Sequence, residues 1–292
     1  MRVSIVIPTY YRSLELAECL DGILEQTVKP IEVIVVDDTP NEAIRQLIED
    51  YTVKARMKGV DLKYIKNPKE RSISIARNIG AKIASGDIIL FVDSDIVLNL
   101  DYIEGLMKTY REHPEAVGIT GWIKNPNHTQ VQNTRDYFFE SPKRLFMLFH
   151  NSTDSCSFFE YPISLTKTIS CQRMVGANMS VRRSLFDEFA FDENLKGYSY
   201  WEDALFSGSV NKKYTGKLLM TPDAICTHSF SQEGRAKGSV MRSIKRRNRK
   251  YVLAKLFGAR GLLIFGWQNF GLLVIKLIGK SKRVSFITDE AL

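Results

Sequence analysis

Four short runs of apolar, mostly β-branched residues constrain this chain more than any other feature. They lie at residues 3–7, 32–36, 62–65 and 88–92, and a stretch with helical spacing follows each. A strand that is apolar on both faces must be covered on both faces. The available cover is helical. Leu14, Leu16, Ala17, Leu20, Ile23 and Leu24 repeat at 3–4 residue intervals, with Ser13 placed to cap them. Ile44, Leu47, Ile48 and Tyr51 do the same within 43–57. Residues 75–84 read as a helix with Gly86 just beyond its end, and 100–110 as a helix stopping before Pro114. The expected fold class is therefore α/β, a mostly parallel sheet flanked by helices. Ligands of such sheets sit at the carboxyl ends of the strands, which points to whatever follows Pro8, Val36 and Val92.

The second half is less regular. Residues 125–170 read as loops with short elements, suited to a lid or an acceptor-side insertion. Strands are expected at 175–181 and 224–227, a short helix at 183–189 and a longer one at 203–212. Charge separates the end of the chain from the rest. The net charge is +8, yet residues 234–292 hold 14 basic and two acidic residues, so a tail of +12 follows a body of −4. Such a tail seeks an anionic partner, either nucleic acid or a membrane surface. Six basic residues within 242–250 precede 15 uncharged residues at 261–275. That run is shorter than the roughly 20 residues of a spanning helix and contains Gln268 and Asn269. It reads as an amphipathic segment lying in the plane of an anionic membrane, with a helix packed on the catalytic body as the alternative, and with no nucleic-acid partner. We expect a catalytic body at 1–233 and a membrane-associated tail at 234–292 whose removal leaves the body active. The apolar run at the N-terminus is too short for a signal peptide. The four cysteines, none in a C-x-x-C pair, suit free thiols. The expected location is cytoplasmic, peripheral to the inner face of the cell membrane.

The chemistry-bearing residues cluster at the expected strand ends. Asp37 and Asp38 follow the second run, Asp93-Ser94-Asp95 follows the fourth, and His228 follows 224–227. In an extended segment Asp-x-Asp presents two carboxylates on one side. Two such oxygens, with waters and diphosphate oxygens, suit Mg²⁺ or Mn²⁺, and an imidazole favours Mn²⁺.

Taken in order, the segments resemble a family 2 glycosyltransferase of the GT-A fold. They are Val3-Ser-Ile-Val-Ile-Pro-Thr-Tyr10, Glu32-Val-Ile-Val-Val-Asp-Asp38, Ile75-Ala-Arg-Asn-Ile-Gly80, Gly86-Asp-Ile-Ile-Leu-Phe-Val-Asp-Ser-Asp95, Gly176-Ala-Asn-Met179, Phe191-Asp192, Trp201-Glu-Asp203 and Thr227-His-Ser229. The resemblance covers roughly residues 1–230. It implies that Pro8, Thr9, Tyr10 and Asp38 line the pocket for the base and ribose, with Arg77, Asp93 and Ser94 also on the donor side. It implies Asp95 and His228 as ligands of Mn²⁺ or Mg²⁺, and Asp203 as general base with Glu202 beside it. The implied partners are a nucleotide-sugar donor and a glycan or lipid-linked acceptor. The implied reaction inverts the anomeric centre. It would belong to polysaccharide biosynthesis.

Two rival classes account for less of the sequence. A nucleotidyltransferase making sugar nucleotides wants a Gly-rich phosphate loop after its first strand, and here Pro8-Thr-Tyr-Tyr-Arg12 holds no glycine. A non-catalytic membrane-bound module explains the tail but not the Asp-x-Asp and Glu-Asp clusters.

Overall fold

A computed structural model of the chain describes residues 1–124, 142–152, 155–162, 164–229 and 238–281. In chain order the first half runs β1 Val3–Thr9, α1 Ser13–Leu24, β2 Glu32–Asp37, α2 Ala43–Met57, β3 Asp61–Lys66, α3 Ile73–Ile83, β4 Ile88–Val92, β5 Ile96–Leu98, α4 Tyr102–Glu112 and β6 Gly118–Ile123. The second half adds β7 His150–Ser152, β8 Glu160–Pro162, β9 Ile169–Ser170, β10 Asn178–Arg182, a 3₁₀ turn Arg183–Asp187, α5 Glu202–Lys213, β11 Leu218–His228, α6 Gly238–Phe257 and α7 Ala259–Ser281.

Among the described residues nine strands form one sheet, in the order β3-β2-β1-β4-β10-β6-β11-β5 with β9 also on β11. Strands β3, β2, β1 and β4 are parallel, and β10 is antiparallel to both β4 and β6. The chain is thus α/β with the helix-flanked sheet expected, parallel from β3 through β4 and mixed beyond. Every residue of β1, β2 and β4 is buried. One face packs on α1, α2 and α4 through Leu16, Leu20, Ile44 and Leu106. The other packs on Ala76, Phe191 and Phe206. That double cover is why these strands carry no polar alternation.

Several local expectations shift. Arg12, not Ser13, stands at the cap of α1, and no side chain caps it. Helix α3 begins two residues earlier than read, because Ser72 Oγ accepts the Ile75 N–H at 3.4 Å. The strand read at 175–181 begins at Asn178, after a turn closed by Asn178 N–H to Val175 O at 3.3 Å. The short helix after it is 3₁₀, over Arg183–Asp187. The four residues read as a strand at 224–227 are the end of an 11-residue strand whose register slips between Thr221 and Ile225. Strands β5 and β6 were not read at all.

The boundary expected at 233/234 lies outside the described residues. Beyond it, α6 buries Val252, Leu253 and Leu256 in a cluster with Phe158, Trp201, Ala204 and Leu205. Helix α7 folds back on α6. It also packs on the segment before β7: Trp267 Nε1–H donates to Leu145 O at 2.9 Å, and a side chain at Gly271 would collide with the Phe146 ring. The tail therefore shares a core with α5. Its outer face stays bare, with Leu263 74% exposed and Leu262, Trp267, Phe270, Leu273 and Leu277 also exposed. Among the described residues no helix is long and apolar enough to cross a membrane.

Candidate active site

The carboxyl ends of β1, β2 and β4 open onto a cleft of about 70 Å³ lined by Pro8, Thr9, Tyr10, Arg12, Asp38, Arg71, Ile73, Asp93, Ser94 and Tyr198. Pairing of β1 with β2 sets Thr9 beside Asp37 and brings the two strand ends level. The adjacent acids there have different fates. Asp37 is wholly buried and spent internally, accepting the Thr39 N–H at 2.7 Å, the Tyr64 hydroxyl at 2.9 Å and Lys66 Nζ at 3.0 Å. Asp38 faces the cleft, held by Asn67 Nδ2 at 2.5 Å and the Ser72 N–H at 3.1 Å. Burial raises the Asp38 pKa despite these bonds. The Arg71 guanidinium lies 3.5 Å from the Tyr10 ring centroid, a cation stacked on the cleft wall. Tyr11, next along, has a left-handed backbone with φ 60°.

Asp93-Ser94-Asp95 is a turn rather than an extended segment. Ile96 N–H donates to Asp93 O at 3.0 Å, reversing the chain into β5. The two carboxylates consequently diverge instead of sharing one side. Asp93 accepts from Arg77 Nη2 at 3.0 Å. Asp95 is buried, 2.9 Å from Arg12 Nη1 and 3.2 Å from His228 Nε2. His228 arrives through the β11–β5 pairing, which sets it opposite Ile96. Among the described residues no cluster of three or more His, Cys, Asp or Glu side chains stands ready for a metal. Asp95 and His228 nonetheless form an oxygen-plus-imidazole donor pair that fits Mn²⁺, provided the remaining positions come from diphosphate and water.

Arg77 does not line the cleft. It lies behind it, 1% exposed, and is the hinge of the site. Its Nη2 donates to Asp93 Oδ1 at 3.0 Å and to Gly176 O at 2.8 Å, and its Nη1 to Glu202 Oε1 at 2.6 Å. Glycine at 176 permits this approach, since a Cβ there would sit 3.0 Å from both guanidinium nitrogens and from Asp203 Cβ. Glu202 and Asp203 occupy the first turn of α5, where the positive end of the helix dipole favours carboxylates. The loop before it is contorted, with φ of 67° at Gly197, 47° at Ser199 and 72° at Trp201. Ser72 holds that loop down, its hydroxyl 2.9 Å from Leu195 O and 2.9 Å from Ser199 Oγ. Non-glycine residues held with positive φ mark places where the surroundings impose strain, often at functional sites.

The paired acids differ electrically. Burial, with the Asp203 and Asp93 charges, outweighs Arg77 and pushes the Glu202 pKa up to about 7. Burial acts on Asp203 too, but Arg173, the Gly176 N–H and Arg77 prevail and hold its pKa below the ordinary range. Arg173 Nη2 reaches both Asp203 oxygens at 3.2 and 3.1 Å, and the Gly176 N–H donates to Oδ2 at 3.1 Å. The Arg173 guanidinium itself sits 5.6 Å from the Phe149 and Trp201 ring centroids.

The structure thus gathers Pro8, Thr9, Tyr10, Asp38, Asp93 and Ser94 around one cleft, and joins Glu202 and Asp203 to it through Arg77. Asp95 and His228 lie together under one rim. Arg12, Arg71, Tyr198 and Arg173 were not anticipated. Arg12 had a faint signal in following Pro8-Thr-Tyr-Tyr at a strand end. The others come from loops whose folding no local pattern announces.

The family model described as glycosyl transferase family 2 matches residues 4–189. A glucosyl-dolichyl phosphate glucuronosyltransferase from Haloferax volcanii is 29% identical over 197 residues, which are 66% of this chain and 57% of the relative. The chain therefore spans little more than half the length of that relative. Among solved structures, TarS from S. aureus in complex with UDP-GlcNAc aligns with 98% of this chain and 77% of its own, at 21% identity and TM-score 0.56. The mannosyltransferase PcManGT from Pyrobaculum calidifontis, in complex with GDP-Man and Mn²⁺, aligns with 97% of this chain and 81% of its own, at 14% identity and TM-score 0.58. At such identities the two structures speak for a shared GT-A fold.

Proposed function

The chain belongs to glycosyl transferase family 2, and from that premise we propose that it moves a sugar from a nucleoside-diphosphate donor to a hydroxyl of a lipid-linked or glycan acceptor, inverting the anomeric centre. The observation that carries this reading is Arg77. One buried guanidinium ties Asp93 on the cleft wall to Glu202 on the far side, so the donor cleft and the Glu202-Asp203 pair form a single rigid unit.

In this reading Asp38 accepts an N–H of the base, Tyr10 and Pro8 flank it, and Asp93 and Ser94 face the ribose. The acceptor oxygen attacks the anomeric carbon as its proton passes to Asp203. The bond from that carbon to the diphosphate oxygen breaks, and its electron pair leaves with the nucleoside diphosphate. Asp203 suits the task because it stays ionised at neutral pH. Glu202 is the second candidate, favoured by a pKa near 7 but tied to Arg77. Asp95 and His228 would hold Mn²⁺ or Mg²⁺, which when bound neutralises charge on the leaving diphosphate. Arg12, already at Asp95, adds positive charge at the same rim.

The relative from Haloferax volcanii is named for a glucosyl-dolichyl phosphate, which supports a lipid-linked acceptor. The bare apolar face of α7 beside the basic α6 supports residence on an anionic bilayer. The test is nucleotide release from a panel of UDP-, GDP- and dTDP-sugars, with Mn²⁺ and with EDTA. Release from at least one donor, suppressed by EDTA, is expected. No release from any would remove the enzymatic reading, and release indifferent to EDTA would remove the metal.

A further inference from the structure

Behind the Glu202-Asp203 pair lies a second cavity, of about 260 Å³, which the donor chemistry does not use. It shares no lining residue with the donor cleft. Phe149 and Trp201 form its floor, and the same two rings flank Arg173, the partner of Asp203. The cavity therefore stands one side chain away from the proposed base. Its walls are α6 and α7, and they are strongly cationic: Arg242, Lys245, Arg246 and Arg249 all line it, with no carboxylate among the described residues that line it.

Arg249 is the telling member. Its side chain is only 8% exposed. Arg77, the other arginine buried to this degree among the described residues, is neutralised by two carboxylates. Among the described residues Arg249 has the Asn269 amide oxygen at 3.2 Å, the Phe265 ring at 5.4 Å, and no acid. Among the described residues its buried Nε–H has no acceptor, and Gln268 Oε1, buried on the same cavity, has no donor. Burial and the neighbouring Arg246 depress the Arg249 pKa, as expected for a cation waiting for a counter-charge. A buried charge left unpaired is costly, and an arginine fork is matched to phosphate oxygens. An acceptor-poor, donor-rich chamber with aromatic walls and one buried amide oxygen suits a phosphate ester that keeps one protonated or hydroxylated neighbour.

We propose that this cavity binds the phosphate of the acceptor, and that the phosphate is carried on a lipid. The assignment rests on the reading of Glu202-Asp203 as the acceptor side of a transfer site. The lipid follows from position. Gln268, Asn269 and Leu272 line the cavity from α7, whose opposite face presents Leu263, Trp267 and Phe270 outward. A phosphate in the cavity thus lies at headgroup depth when that face enters a bilayer, with the chain running out beside α7.

The probe is farnesyl phosphate below its micelle concentration, titrated calorimetrically into the full chain, with farnesol and inorganic phosphate as separate arms. Wild type should bind farnesyl phosphate and not farnesol. Arg249→Gln should weaken binding at least about tenfold, the scale of one lost charged hydrogen bond. Because Arg249 is buried, the exposed pair Arg242→Gln/Arg246→Gln serves as a second variant and should weaken binding as well. Arg247→Gln/Lys250→Gln, on the same helix but outside the cavity, should bind within about twofold of wild type, as expected for solvated charges. Equal loss in this control would reduce the effect to general basicity and overturn the proposal, as would full binding by both cavity variants. Inorganic phosphate binding as tightly as farnesyl phosphate would mark a free-anion site and overturn the acceptor assignment. Donor hydrolysis by wild type, measured on the same preparation, keeps the two readings apart. Arg249-dependent binding without hydrolysis sinks the transferase and leaves the cavity, and hydrolysis without such binding does the reverse.

Discussion

Arg77 binds from three directions, and each direction can be read by substitution. Arg77→Met removes the shared partner of Glu202 and Asp93 while keeping much of the apolar bulk. Deleting one member of a buried ion pair costs about 3–5 kcal/mol, so the urea midpoint should fall accordingly. A variant as stable as wild type would show that solvent already satisfies those acids. The Glu202 titration gives a second residue-scale expectation. With a pKa near 7, Glu202 is half protonated at neutral pH, and only its ionised form pairs fully with Arg77. Transfer measured as kcat/KM should therefore rise with pH through about 7, and Glu202→Gln should abolish that limb. Asp203→Asn should lower transfer about 10²-fold or more at every pH, the usual scale for loss of a general base. If Asp203→Asn keeps near-normal turnover while Glu202→Gln loses it, Glu202 is the base.

Among the elements, α6 and α7 demand the most revision of how the tail should be tested. Removing everything from Arg242 onward would strip Val252, Leu253 and Leu256 from a core that also holds Trp201 and Leu205. Trp201 lies two residues before the proposed base Asp203, so truncation would damage the site along with the tail. Substitution on the outer face of α7 is the cleaner probe. Each large apolar side chain is worth roughly 1.5–3 kcal/mol at full burial and less at an interface, and each surface cation about 1 kcal/mol near an anionic leaflet. The chain with its tail intact should sediment with anionic liposomes at low salt and release as salt screens the attraction. Leu263→Asp with Leu273→Asp should abolish sedimentation without lowering the urea midpoint, since both side chains are more than half exposed. Persistent sedimentation of that variant would take the apolar face out of the account.

For the whole molecule, legibility in the sequence followed burial only where the buried run was also continuously apolar; β6 is mostly buried yet its glycines and threonine hide it. Strands β1, β2 and β4 are covered on both sides, so their composition alone declared them, and the catalytic-side acids follow at their ends. Strand β11 was read only over its last third, because its start pairs with β6 and β9, neither of which was read as a strand. The insertion of antiparallel β10 between β4 and β6 is a long-range pairing that no local spacing encodes. At the site, acids at strand ends were legible because an unpaired carboxylate there is conspicuous. Their arginine partners were not: Arg12, Arg71 and Arg173 look in sequence like any solvated charge. The divergence of Asp93 and Asp95 likewise depends on a turn that Asp-Ser-Asp permits but does not demand.

Two chambers that share no lining residue have a kinetic consequence. In a site with a single mouth, whichever ligand sits deeper must enter first and leave last. In the proposed reading the sugar nucleotide and the acceptor phosphate enter chambers with no lining residue in common, so neither opening need lie on the other ligand's path. Addition should be random rather than ordered. A dead-end acceptor analogue such as farnesyl phosphate should then inhibit noncompetitively against the sugar nucleotide. Uncompetitive inhibition would mean that the acceptor chamber forms only after the donor is in place, and that these two openings are coupled by a motion of the wall between them.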